Sequence, residues 1–333
     1  MGRSSRNHTR GASRRDVESG KSLMSTLRKL SLTALVLAFA QIVFGAIVRI
    51  TGSGMGCGDH WPKCAGMWFP PHDRIDLIIE ITHRYIALAL SIVIVALFIA
   101  AYKKRREAGV GGKGGVLRPA TTAALLVVIA ALLGAVTVKL ALNPFVIAAH
   151  LTIAMSLLAT LALALARSGG LGAGSDLTGG SARAFRSSRA GLVMALVVLI
   201  LGALTANIPD AAVACTGFPW CREYMIYGLP LNVHIAHRIL AFALFFHLLG
   251  IAIATGRRSE PAVVKRVAKL TFGAAFLQVL VAAAMIEMHF PPVFRSLHQA
   301  FGTLVWLSVV ILTILTSRAS RGATVQSTLR EAA

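Results

Sequence analysis

The segment Ile79-Glu80-Ile81-Thr82-His83-Arg84 places three ionisable side chains near the start of an apolar run that continues to Ala101. Such groups are costly against hydrocarbon, so they are expected to face a protein interior or a cavity. On a helix, Glu80 and His83 share one face. A carboxylate one turn from an imidazole suits a metal, haem or proton-transfer site. The segment recurs once, as His234-Ile235-Ala236-His237-Arg238, 154 residues later, with His234 where the first copy has Glu80.

Two more histidines complete the pattern. His150 and His298 sit in apolar runs and are related by an offset of 148. All four are expected one to two turns inside the same membrane boundary. The rise of about 1.5 Å per residue then puts them at nearly one depth. In each half, two histidines on neighbouring helices could clamp a planar macrocycle through its iron. Arg84 and Arg238 each follow a candidate ligand and could hold a haem propionate by charge-assisted hydrogen bonds. Snorkelling to the interface is the plainer reading of both. His247, among phenylalanine and leucine, reads as a core or lipid-facing residue. His60, His72 and His289 read as loop residues. Cys57, His60 and Cys64 do not have a standard zinc spacing.

The elements that must position these residues are membrane spans. The chain has 333 residues, is 56% hydrophobic and 14% charged, and has a mean hydropathy of +0.72. That is the balance of an all-α integral membrane protein. Eight apolar runs are long enough to cross a bilayer: about 30–50, 77–101, 119–142, 144–166, 190–208, 232–255, 267–288 and 296–316. Asn143-Pro144 marks a tight hairpin between the third and fourth.

The halves repeat. Gly45 falls on Gly202 and Cys64 on Cys221 with an offset of 157. Trp61-Pro62-Lys63-Cys64 falls on Phe218-Pro219-Trp220-Cys221 with the same offset. The slow drift of the offset is what changes in loop length produce, and it indicates duplication of a four-helix unit. An even number of spans per unit gives both copies one orientation, so a pseudo-twofold axis along the membrane normal is expected. The organisation reads as a basic tail (1–29), an N-terminal half (30–166), a Gly/Ser-rich flexible linker (167–189), a C-terminal half (190–316) and a second tail (317–333). The first tail has no apolar h-region, so a disordered cytoplasmic segment is expected there and not a cleaved signal peptide.

The formal net charge of +21 does not point to nucleic acid. Of the 34 Lys and Arg residues, 26 lie in the tails, the loops at 102–118, 167–189 and 256–266, and the adjoining Lys269. That is the positive-inside bias, and it puts both termini in the cytoplasm. The four cysteines, Cys57, Cys64, Cys215 and Cys221, all fall in the two long loops on the opposite side. An even count on an oxidising face suggests two local disulfides. They could be structural pins, or, for Cys57 and Cys64 above all, a redox-active pair.

Eight spans, duplicated halves, four histidines, Glu80-x-x-His83-Arg84 and paired loop cysteines together resemble the haem A synthase family, over roughly residues 30–316. The resemblance implies oxidation of a ring methyl of haem O to a formyl group in successive steps, for cytochrome oxidase biogenesis. It implies that His83 and His150, with Arg84, flank the substrate haem in the N-terminal half. His237 and His298, with Arg238, would hold haem b in the C-terminal half, and Glu80 would be the catalytic carboxylate. It further implies a bacterial plasma membrane, or alternatively a mitochondrial inner membrane. Implied partners are membrane lipid, a haem O-producing enzyme and an electron acceptor; a homo-oligomer is among the arrangements it allows. Two other readings compete. A non-catalytic di-haem electron-transfer cytochrome would stack its haems across the bilayer, whereas these ligands lie near one surface. A transporter would carry its ionisable groups and broken helices at mid-depth.

Overall fold

The computed structural model describes residues 14–331 except 59, 61, 173 and 225, so Asp59 and Trp61 of the first cysteine loop lie outside the described residues. Eight long helices follow in order: α1 Arg14–Ile50, α2 Ile75–Lys103, α3 Leu117–Lys139, α4 Pro144–Arg167, α5 Ala182–Asn207, α6 Leu229–Arg257, α7 Ala262–Glu287 and α8 Pro292–Glu331. Each contains a stretch long and apolar enough to cross a membrane. A two-stranded antiparallel ribbon, β1 (Cys215–Thr216) and β2 (Glu223–Tyr224), sits in the second cysteine loop.

Local chemistry sets the helix starts. Asn143 caps α4 by accepting from Phe145 N at 3.0 Å, and Pro144 opens the first turn, where its missing N–H is not needed. Between α3 and α4 the chain turns through Ala141 and Leu142, both with positive φ. Between α7 and α8 it turns through His289 and Phe290, also with positive φ. These two pairs are 148 residues apart, the offset that relates His150 to His298. The repeat spacing therefore holds for the backbone of these two turns as well.

Within the N-terminal half, α1 packs on α2 and α4, and α3 on α2 and α4. The C-terminal half repeats those pairings: α5 packs on α6 and α8, and α7 on α6 and α8. The halves meet through α1 with α8, α4 with α5 and α4 with α8, a set that maps onto itself when the halves are exchanged. Trp306 Nε1 on α8 donates to Met155 O on α4 at 2.9 Å across that interface. The shared core is rich in small residues such as Ala34, Ala38, Ala162 and Ala195, which allow close backbone approach. The exposed apolar side chains run in stripes, for example Leu88, Ile92, Val95 and Ile99 on α2. In a bilayer those stripes face lipid.

Two segments differ from the sequence reading. Helix α1 begins at Arg14, well inside the stretch whose composition suggests disorder. Leu23, Met24 and Leu27 explain the extension, because they pack with Val110 from the α2–α3 connection and Leu27 is fully buried. The 167–189 connector is not a loose linker either. Arg318 on α8 donates to Leu171 O at 3.0 Å, and Leu171 and Leu177 pack on the core. Glu260, 5% exposed, accepts from Ser181 N at 3.1 Å and from Ser181 Oγ. Ser181 in turn caps α5, which starts eight residues before the span expected from hydropathy.

Candidate haem sites

The four histidines take matched positions. His83 and His237 are each eight residues into their helices, and His150 and His298 each six. All four thus lie about 9–12 Å along their helices from the face that carries the cysteine loops.

In the N-terminal half His83 lies against α1. A methyl carbon on Gly45 would sit 3.0 Å from His83 Cε1. The Phe44 ring stacks near the imidazole, with centroids 6.4 Å apart. Gln41 Nε2 is 3.2 Å from His83 Nε2 and 3.0 Å from His83 O. His150 lies against α3, where a methyl on Gly134 would be 3.4 Å from its Cε1. His83 Nδ1, His150 Nδ1 and Gln41 Oε1 are buried without a hydrogen-bond partner. Buried polar atoms are ordinarily satisfied, so this cluster has polar capacity left for a ligand.

Glu80 is 4% exposed and is not idle. One oxygen pairs with Arg84 at 2.5 Å, and the other accepts from the Cys57 backbone N–H at 2.8 Å. Arg84 also donates to the carbonyls of His60 (2.7 Å), Pro62 (3.2 Å) and Lys63 (2.7 Å). Glu80 and Arg84 therefore fasten the first cysteine loop over α2. Tyr85 Oη adds a bond to Trp68 O. Cys57 and Cys64 form a disulfide whose sulfurs pack on Leu77 and Ile81. The bond removes both as thiolate ligands.

The C-terminal half builds the same frame with other parts. His234, also 4% exposed, replaces Glu80. Its Nδ1–H donates to Ala211 O at 2.6 Å, and its Nε2 accepts from Arg238 Nε at 2.8 Å. Arg238 also donates to Gly217 O and Cys215 O, at 2.8 and 3.1 Å. Cys215 and Cys221 form the second disulfide. Both arginines that follow a candidate ligand thus direct donors at loop carbonyls in this structure.

His237 and His298 line one apolar cavity of about 240 Å³, together with Gly202, Gln278, Arg49 and Arg295. A methyl on Gly202 would come within 2.9 Å of His237 Cε1. His237 Nδ1 donates to Val198 O at 3.1 Å, which leaves the Nε2 lone pair for a metal. Gln278 lies 3.0 Å from His298 Nδ1. Two histidines in an apolar cavity whose wall includes two guanidinium groups match a macrocycle with central iron and acidic side chains.

A family model described as cytochrome oxidase assembly protein matches residues 28–310. The chain belongs to the haem A synthase family. Its relatives include bacterial proteins named "Heme A synthase". The one from Geobacillus kaustophilus is 29% identical over 311 residues, covering 87% of this chain and 92% of its own. The one from Macrococcus caseolyticus is 28% identical over 299 residues, covering 88% and 98%. The matched region contains all eight helix cores, both disulfides and the four histidines.

In this member of the haem A synthase family the structure brings forward residues that the sequence alone passed over. Arg49, Arg295, Gln41 and Gln278 belong to none of the motifs or repeat pairs named above. Span composition marks such residues as polar without saying what they touch. The other histidines are elsewhere. His247 Nε2 lies 3.0 Å from Ser187 O, near the face that carries the termini, while His60, His72 and His289 are in loops.

Proposed function

We propose that the chain is an oxidoreductase of bacterial membranes that converts haem O to haem A. The N-terminal half binds substrate haem between His83 and His150. The C-terminal half keeps a resident haem b between His237 and His298, with Arg49 and Arg295 placed for its propionates. The carrying observation is the difference at one repeat position. Glu80 and His234 are equally buried and each bonds the arginine four residues on, yet only the first is a carboxylate.

When bound, haem b would supply a one-electron acceptor beside the substrate site. The chain's own residues do the remainder. Oxidising a methyl to a formyl group with water as the oxygen source releases four electrons and four protons, and the electrons must leave one at a time to an external acceptor. Glu80 lies one turn from His83 and can take a proton at the edge of the macrocycle that His83 holds. For that it must exchange its bond to Arg84 or Cys57 N for one to substrate or water. His234, at the equivalent position, offers no carboxylate and bonds Ala211 O and Arg238 through its two nitrogens.

Both termini are assigned to the cytoplasm by the positive charge on their side. The disulfide-bearing face is then the outer one, where the substrate and the electron acceptor would be met. Haem extraction and mass analysis after expression with a haem O source tests the reading. Haem A and haem b together support it. Haem b alone with unconverted haem O would make the chain an electron-transfer cytochrome, and no haem would leave neither reading standing.

A further inference from the structure

His83 and His237 occupy equivalent places, but their rings are held differently. His237 is held through Nδ1 by the carbonyl of Val198. The repeat counterpart of Val198 on α1 is Gln41, at the offset of 157 that relates Gly45 to Gly202. Gln41 reaches His83 with its side chain instead. The atom that contacts His83 O at 3.0 Å must be a donor, because a carbonyl only accepts, so the amide orientation is fixed. The second hydrogen of that NH₂ group then falls to His83 Nε2, 3.2 Å away. His83 is therefore the Nδ1–H tautomer, and the lone pair that would ligate iron is covered by an amide.

We propose that Gln41 is a positioning residue that makes the N-terminal haem site exchangeable. It keeps His83 neutral with the ligating lone pair on Nε2, and it competes with iron for that lone pair. A haem iron binds His83 only as the Gln41 N–H lets go, and the same N–H takes the nitrogen back when the haem leaves. The C-terminal half has no such competitor at His237, where Val198 offers a carbonyl to the opposite ring nitrogen. Its own glutamine, Gln278, is on the other ligand, His298, with its amide nitrogen 3.0 Å from Nδ1 and 3.4 Å from Nε2, so the contrast lies between His83 and His237 alone. Of the two equivalent ligands, His83 is thus held by an amide that iron must displace, and His237 by a carbonyl that leaves its Nε2 free. The inference rests on the reading of the N-terminal half as the substrate site.

The test uses full-length protein carrying haem b, loaded with ferric mesohaem as the probe, whose absorption bands are separate from those of haem b, and follows probe loss to excess apomyoglobin. Gln41→Val, which installs the residue of the second half, should slow probe loss by roughly three- to tenfold, the worth of one net hydrogen bond. Ordinary damage to the site would speed it, so the direction is informative. Unchanged or faster loss overturns the proposal. His83→Ala separates the two failures. If it lowers probe binding while Gln41→Val leaves the rate unchanged, the role of Gln41 alone falls. If His83→Ala has no effect on probe binding, the assignment of the N-terminal site falls and the proposal with it. Should Gln41→Val lack the haem b band and so be misfolded, Val198→Gln decides. Faster haem b loss from that variant supports the proposal, and an unchanged rate overturns it.

Discussion

At the scale of single residues, Glu80 has two tasks. It bridges Arg84 and Cys57 N, which ties down the first cysteine loop, and it is the carboxylate nearest His83 along α2. Glu80→Gln separates them. The amide oxygen can still accept from Cys57 N–H, so the loop stays fastened at that point. The amide cannot act as a base. A general base contributes roughly 10²–10⁴ in rate. Haem A output should fall by about that factor while haem b stays at normal occupancy, and haem O or a hydroxymethyl haem should accumulate. Loss of haem b together with activity would reveal a structural role, and near-normal haem A would remove Glu80 from catalysis. The proposed C-terminal ligands have a separate signature. His237→Ala or His298→Ala should abolish or strongly alter the haem b spectrum, and His83→Ala should leave it intact. Unchanged spectra in both C-terminal variants would refute that pair.

At the scale of elements, His83 on α2 and His237 on α6 fit only because the helix opposite each offers glycine. Gly202→Val would push a side chain into His237, and overpacking of this kind typically costs about 1–3 kcal/mol. The variant should lose haem b. Gly45→Val should keep haem b and lose substrate-haem binding, since its clash is with His83. Absorption spectra with and without added haem distinguish the two, and identical behaviour would refute the division between halves. The spans, the Asn143-Pro144 turn and the four histidines were legible in the sequence because each follows from hydropathy, turn chemistry or repeat spacing. The loop disulfides were legible too, and thiol labelling of unreduced protein should find no free cysteine. What Arg84 and Arg238 bond to was not legible. Their loop-carbonyl partners depend on how irregular backbone folds over a helix end, and no period encodes that. Nor was the start of α1, where Leu27 and its neighbours find a cover supplied by a connection some eighty residues away.

At the scale of the whole molecule, the two halves are not independent units. Arg49 and Leu151 belong to the N-terminal half, yet both line the C-terminal cavity. The exchange that maps one half onto the other carries Arg49 to Ala206 and Arg295 to Ile147, so the cationic pair has no counterpart on the N-terminal side. The duplication thus supplies two similar frames, and substitutions at their edges make them electrically unequal. A cation near a haem favours the reduced, less positive iron and raises its potential. In a medium of effective dielectric ~20, a unit charge ~10 Å from a redox centre is worth about 1.7 kcal/mol. For one electron that is roughly 70 mV. Arg49→Gln and Arg295→Gln should therefore each lower the haem b midpoint potential by tens of millivolts while leaving its histidine-ligated spectrum unchanged. Arg49 is the sharper test, because it lies on α1, in the half opposite the one proposed to hold haem b. A potential that does not move in Arg49→Gln would mean that the resident haem senses only its own half, and that the shared wall of the cavity is packing alone.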